Sequence, residues 1–223
     1  MSLPQARRHP TRRGLHVLGV SRLIAVDLDG VLGDQVSHVL SRFGLEAGMA
    51  VNPDEITTWN SPVGNEPFDK LIERYLADPK FVRTMPTVTG AEEGMRQLSR
   101  YGELVVLTTR PRSTARETRR WVHLHFGNDV RIEIAPIGGK SAFPASILID
   151  DNLENVADFI RSRPARVAIL FSRPWNEDRE SASSLLLSGR LQIAHGWGEV
   201  TALFHRPVWN MLGHHQQIKA QPS

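Results

Sequence analysis

The chain has 223 residues, 40% of them hydrophobic and 23% charged, which suits one domain or one domain carrying an insertion. It contains no cysteine, which excludes a disulfide framework, a thiol nucleophile and any cysteine-based metal or iron–sulfur centre. The formal charge is +3, but Arg7, Arg8, Arg12, Arg13 and Arg22 fall in a start that holds no acidic residue, so the body is close to neutral.

Residues 1–20 read as a basic, disordered arm interrupted by Pro4 and Pro10. The apolar run Leu15 to Val20 is short and broken by His16 and Gly19, so a secretory signal is not expected and the default location is cytoplasmic. Leu23 to Val26 is a continuous apolar run of the kind buried on both faces of a parallel sheet, and Leu104 to Leu107, Ile147 to Ile149 and Val167 to Phe171 repeat that signature. Between the first two runs, Val36, Val39, Leu40 and Phe43, then Phe68, Leu71, Ile72, Tyr75 and Leu76, recur at helical spacing with no strand-like run. This predicts a helical insertion over residues 34–85, projecting over the carboxyl edge of the sheet. Helices follow over 91–101, through Met95, Leu98 and Tyr101, and after Thr114. There Thr114-Ala115-Arg116-Glu117 has the form of a capping box and Gly127 supplies a stop. Another helix spans 152–160, through Leu153, Val156 and Ile160. The alternation predicts an α/β core over 21–33 and 86–213, with a polar tail over 214–223 and ligands bound at the carboxyl ends of the strands. No stretch approaches the ~18–20 apolar residues of a membrane span.

The strongest chemical signal is Asp27-Leu28-Asp29-Gly30-Val31, placed directly after the first strand. Carboxylates two positions apart in extended chain share a side, and Gly30 lets the backbone turn away. An EF-hand reading fails because the positions that should hold an oxygen ligand and the closing Glu are Val31 and His38. A second strand ends in Thr108-Thr109-Arg110 and a third in Asp150-Asp151-Asn152. Carboxylates gathered at parallel strand ends need a cation, and oxygen-only ligands suit Mg2+. A magnesium ion with basic side chains in turn makes a phosphate site. Gly138-Gly139-Lys140-Ser141 looks like the end of a nucleotide-binding loop, but Ile134 stands where the earlier glycine belongs and Pro144 spoils the helix that should follow. His123 and His125 lie two apart on a helix and face different ways, so they do not form a metal pair. Trp59, Phe68 and Tyr75 are either core or a platform for a base, and Arg173-Pro174-Trp175-Asn176 either closes the site or is turn chemistry alone.

The ordered set Asp27 and Asp29, Thr108, Lys140, then Asp150 with Asp151 resembles the haloacid dehalogenase superfamily of phosphohydrolases. The resemblance covers roughly residues 22–200. It implies a three-layer, Rossmann-like α/β fold with a small helical cap after the first strand. It also implies an aspartyl-phosphate formed on Asp27, with Asp29 as acid and then base. Asp29 favours phosphoryl transfer, because cleavage of a carbon–halogen bond needs no acid there. By the same resemblance Asp27, Asp29 through its carbonyl, and Asp150 or Asp151 hold Mg2+, while Thr108, Thr109, Arg110 and Lys140 bind the phosphate. Within the superfamily the chain is most similar to the 5'(3')-deoxyribonucleotidase group. The shared words are Asp-x-Asp-Gly-Val-Leu, Thr-x-Arg-Pro at Thr108 to Pro111, Trp121 before Phe126-Gly127, Arg173 to Asn176, and Trp197. Where that group carries a phosphate-holding lysine on the helix after the second strand, this chain offers Arg116, Thr118, Arg119 and Arg120. The implied substrate is a nucleoside 5'- or 3'-monophosphate, with no membrane and no nucleic acid as partner and a homodimer left open. Two alternatives stay open: a phosphatase acting on polynucleotide ends, which the basic arm favours and the neutral body opposes, and a non-catalytic phosphate-binding protein.

Overall fold

A computed structural model describes residues 22–206; the expected arm and the expected tail both lie outside the described residues. In chain order the elements are β1 (Leu23–Val26), α1 (Gln35–Ala47), β2 (Pro62–Val63), β3 (Glu66–Pro67), α2 (Phe68–Leu76), α3 (Pro79–Thr84), α4 (Ala91–Leu98), β4 (Glu103–Thr108), α5 (Ala115–Phe126), β5 (Arg131–Ile134), β6 (Ile147–Asp150), α6 (Leu153–Ser162), β7 (Val167–Phe171), α7 (Ser183–Leu187), β8 (Leu191–Ala194) and α8 (Trp197–Phe204).

Six strands form one parallel sheet in the order β5-β4-β1-β6-β7-β8. β1 lies inside it, with Ala25 opposite Val105 on one side and Leu148 on the other. Alternation still divides its side chains between two cores. Ile24 and Val26 pack with Trp121, Trp197, Met95 and Leu203, which come from α4, α5 and α8. Ala25 packs on the opposite face with Phe159, Ile160 and Leu185, from α6 and α7. The result is the expected three-layer α/β arrangement.

β5 and β8 are not singled out by the sequence pattern, and both are edges of the sheet. Arg131-Ile132-Glu133-Ile134 carries charge and is nowhere fully buried, and β8 buries only its two end residues. An edge strand with one neighbour needs no continuous apolar run. The chain between β1 and β4 contains α1, α2 and α3 around a separate apolar cluster that includes Val39, Phe68, Leu71 and Val82. The strand-free expectation for this stretch needs one correction: β2 and β3 pair as a hairpin through two residues each, too few to show a period. Phe68 and Tyr75, 0% and 6% exposed, are core; Trp59 is half-buried and stacks on Phe68.

The capping box at Thr114 does not form. A 3-10 turn, Arg112–Thr114, leads into α5, so Thr114 already has helical torsions. Its hydroxyl donates to the Pro111 carbonyl at 2.9 Å, and Glu117 pairs with Arg83 and Arg120 instead. Among the described residues, no helix is long and apolar enough to cross a membrane.

Candidate active site

The site is built at the carboxyl ends of β1, β4 and β6, where the strand order reverses around β1. The Asp27 backbone N–H still donates to Ile149 at 2.8 Å, so the β1–β6 ladder fixes the residue just past the strand. Gly30 then turns the chain at φ 77°, its N–H donating to the Gly33 carbonyl at 2.9 Å. Only glycine fits: a Cβ there would stand 2.0 Å from Oδ2 of Asp151.

Lys140 enters from a 3-10 turn, Lys140–Ala142, which Arg166 secures by donating to the carbonyls of Ser141 and Phe143. The lysine is 1% exposed, and its Nζ lies 2.6 Å from Asp27 Oδ1 and 2.7 Å from Asp150 Oδ2. Asp150 is committed elsewhere as well, accepting from the Asn152 N–H at 2.8 Å and from Asn155 Nδ2 at 3.3 Å. Asp151 accepts from Trp175 Nε1 at 3.1 Å, and its backbone carbonyl accepts from Asn176 at 2.7 Å.

Asp27, Asp150 and Asp151 are buried and bring carboxylate oxygens within 4.8 Å of one another. One ammonium does not balance three such charges. Burial pushes Asp27 up to about 7 although Lys140 pulls it back, and the Asp150 charge adds to the rise. Burial, then Asp27 and Asp150, push Asp151 well above the carboxylate range. Burial alone would lower Lys140, but Asp150 and Asp27 outweigh it and hold the amine above its ordinary value. Crowded, oxygen-only donors whose own repulsion disfavours ionisation fit a hard divalent cation.

Asp29 stands apart from this group. Its carboxylate takes the Arg110 fork, from Nε at 2.8 Å and from Nη2 at 2.5 Å, with Arg110 3% exposed. Arg110 also reaches Thr118 and the Met85 sulfur. Thr108 is buried at the end of β4, and its hydroxyl accepts from the Arg110 N–H at 3.1 Å. Thr109 is half-buried. A cavity of about 450 Å³ joins these groups: Asp27, Asp29, Thr109, Arg110, Lys140 and Asp151 line it from the sheet, Trp59, Ile72 and Leu76 from the segment before β4. Thr108 is not on its wall. His125 pairs with Glu92 outside the site, and Arg120 pairs with Glu117.

The residues that sequence reasoning did not assign are those that brace the site. Arg173 donates to the Gly30 carbonyl from Nε at 2.9 Å and Nη2 at 2.6 Å, Trp175 and Asn176 tie down Asp151, and Asn155 bridges both oxygens of Asp150. For the first three, the sequence offers the word Arg173-Pro174-Trp175-Asn176 after the buried run of β7, read as closing the site or as turn chemistry, but not which groups it holds.

Comparison with known proteins agrees with this geometry. The model of the family described as 5' nucleotidase, deoxy (pyrimidine), cytosolic type C protein matches residues 21–203. Proteins of Bordetella pertussis and Bordetella bronchiseptica, described as candidate 5'(3')-deoxyribonucleotidases, are 28% and 27% identical over 113 residues, which is 49% of this chain. The chain spans 59% of the length of these curated relatives. A haloacid dehalogenase-like hydrolase from Streptococcus pneumoniae superposes with a TM-score of 0.55 at 18% identity, over 83% of this chain and 99% of its own. One from Deinococcus radiodurans, solved with bound phosphate and sodium, gives 0.53 at 16% identity, over 82% and 95%. At these identities the solved structures speak for the fold. The family match, by contrast, runs from just ahead of β1 into α8 and takes in every strand end that builds the site, and on that ground the chain belongs to the cytosolic type C 5' nucleotidase family.

Proposed function

We propose that the protein hydrolyses a phosphate monoester with Mg2+, through an aspartyl-phosphate on Asp27, and that its substrate is a nucleoside 5'- or 3'-monophosphate. The observation that carries this reading is the buried Asp27 carboxylate, open to a cavity and held 2.6 Å from a buried lysine beside two further carboxylates. A carboxylate attacks an anionic phosphate only where cations offset the repulsion.

Asp27, Asp151 and the Asp29 carbonyl would hold the ion. Asp151 is the direct carboxylate ligand in this reading, because Asp150 spends its oxygens on Lys140, Asn152 and Asn155. When bound, the ion neutralises charge between the phosphate and the carboxylates. Asp27 forms a bond to phosphorus as the ester P–O bond breaks, and the leaving oxygen takes a proton from Asp29. Water then attacks phosphorus, Asp29 takes its proton, and the bond to Asp27 breaks to release phosphate. The Arg110 fork occupies both oxygens of Asp29 and orients it as the proton acceptor of the second half; to donate in the first half, Asp29 must leave at least one guanidinium contact. Lys140 draws Asp27 toward its ionised form and offsets the phosphate, with Thr109 and Arg110 as further phosphate contacts and Thr108, off the cavity wall, holding the Arg110 backbone N–H.

The nucleotide assignment is supported by the size of the cavity, within the ~300–1,000 Å³ range of small-molecule sites, and by its apolar wall of Trp59, Ile72 and Leu76. Residues 34–85 act as the cap in this scheme, with Trp59 the aromatic that meets the base, since Phe68 and Tyr75 are spent in the core. A cytoplasmic location goes with the family's description. The test is a panel of nucleotides and sugar phosphates assayed in chelator, in magnesium and in excess calcium. Activity should need magnesium and fall in calcium, whose looser coordination spoils the attacking geometry; undiminished hydrolysis in chelator would overturn the scheme.

A further inference from the structure

Gln35 opens α1 directly after the turn that carries Asp27 and Asp29, and its backbone N–H donates to Gly33 at 2.9 Å. The residue is 4% exposed and lines the cavity. The other buried polar side chains on that wall are all engaged: Asp27 with Lys140, Arg110 with Asp29, Thr114 with Pro111, Asp151 with Trp175. The Gln35 amide has no hydrogen-bond partner among the described residues. The amide is open to the cavity rather than sealed in the fold, so within this pocket it is left to solvent or to a bound ligand.

The position of Gln35 narrows what that ligand group is. The cavity is graded by depth, from Asp27 and Lys140 at the buried end to Ile137, 93% exposed, at the mouth. Gln35 is tied through Gly33 to the turn that follows Asp27 and Asp29, which sets it on the Asp29 side of the cavity. A substrate whose phosphorus meets Asp27 therefore presents to Gln35 the part of its alcohol nearest the scissile ester, and leaves its far end toward Ile72 and Ile137. An amide both donates and accepts, which matches a hydroxyl. We infer that Gln35 is a specificity-determining residue that reads a ring hydroxyl on the alcohol side of the ester, so that the preferred substrates are phosphates of hydroxylated sugars. This rests on the phosphomonoesterase reading above.

The test compares wild type with Gln35→Met, an unbranched side chain of similar length without the amide. The substrates are a 2'-deoxyribonucleoside 5'-monophosphate, its 2',3'-dideoxy counterpart, and p-nitrophenyl phosphate. Wild type should prefer the hydroxylated member of the pair by about tenfold or more in kcat/KM, and Gln35→Met should bring that ratio close to one. An unaltered ratio, or an equal loss on every ester, overturns the assignment. The melting temperature of Gln35→Met should stay within a few degrees of wild type; a larger fall would mean that the amide is spent inside the fold. Calorimetric binding of the same ligands to Asp27→Asn, with and without Gln35→Met, separates the two claims. Hydroxyl-dependent binding without hydrolysis by wild type would sink the phosphatase reading and keep Gln35. Hydrolysis with no hydroxyl dependence in either assay would sink the Gln35 assignment alone.

Discussion

Replacing Lys140 by methionine keeps the bulk of the side chain and removes the one ammonium between Asp27 and Asp150. At 2.6 Å and an effective dielectric of 20, the attraction to Asp27 is about 6 kcal/mol before the cost of desolvating the lysine. Breaking one partner of a buried pair costs about 3–5 kcal/mol in practice, equivalent to roughly two to four pK units on the carboxylate left behind. Asp27 already sits at about 7 with the lysine in place, so without it the carboxyl is protonated at neutral pH. A carboxyl raised in the folded state stabilises fully below its unfolded value, and that contribution is lost as pH rises through the folded value. In chelator, wild type should lose stability from about pH 4 to about pH 7. In Lys140→Met the loss should continue to higher pH, so the deficit against wild type, which includes the lost Asp150 pair at every pH, should grow from pH 5 to pH 8. Thermal melts across that range, paired with the acid limb of the kcat/KM profile in magnesium, read both effects. A deficit that does not change between pH 5 and pH 8, with an unmoved acid limb, would refute the role given to Lys140.

Asp27→Asn should fold normally by circular dichroism and retain less than a tenth of the wild-type rate, a barrier difference of about 1.4 kcal/mol or more; higher retention would remove Asp27 as nucleophile. Gly30→Ala drives a methyl to 2.0 Å from Asp151 Oδ2 at a φ of 77°, so kcat/KM should fall at least about a hundredfold (~2.7 kcal/mol), with a lower melting temperature; near-normal activity would mean that the turn is not tight. Trp175→Phe keeps an aromatic ring but loses the indole N–H that orients Asp151, and a magnesium titration of activity should show half-saturation raised about 10- to 100-fold; an unaltered midpoint would exclude that role.

What could be read in the sequence follows burial. β1, β4, β6 and β7 have a strand on each side and helices above and below, so they appear as unbroken apolar runs, whereas β5 and β8 lack a neighbour and do not. The acidic pairs were legible because each follows directly on such a run, and the structure brings Asp27, Asp150 and Asp151 together around Lys140. The partnership of Asp29 with Arg110 joins residues 81 positions apart, and that of Arg173 with Gly30 joins residues 143 apart, with no periodic or local signal to announce either. Gln35 is silent for a related reason: only the cavity around it makes one amide at a helix start different from any other.

The braces on Asp151 come from chain made after it. Trp175 and Asn176 lie beyond β7, 24 and 25 positions downstream of the carboxylate they hold. On the ribosome, a chain that has reached the end of α6 already carries Asp27, Lys140 and Asp151 but lacks β7, the neighbour of β6, and both braces. Under the proposed chemistry, such a chain lacks the contacts that hold Asp151 until the residues after β7 have emerged and folded back.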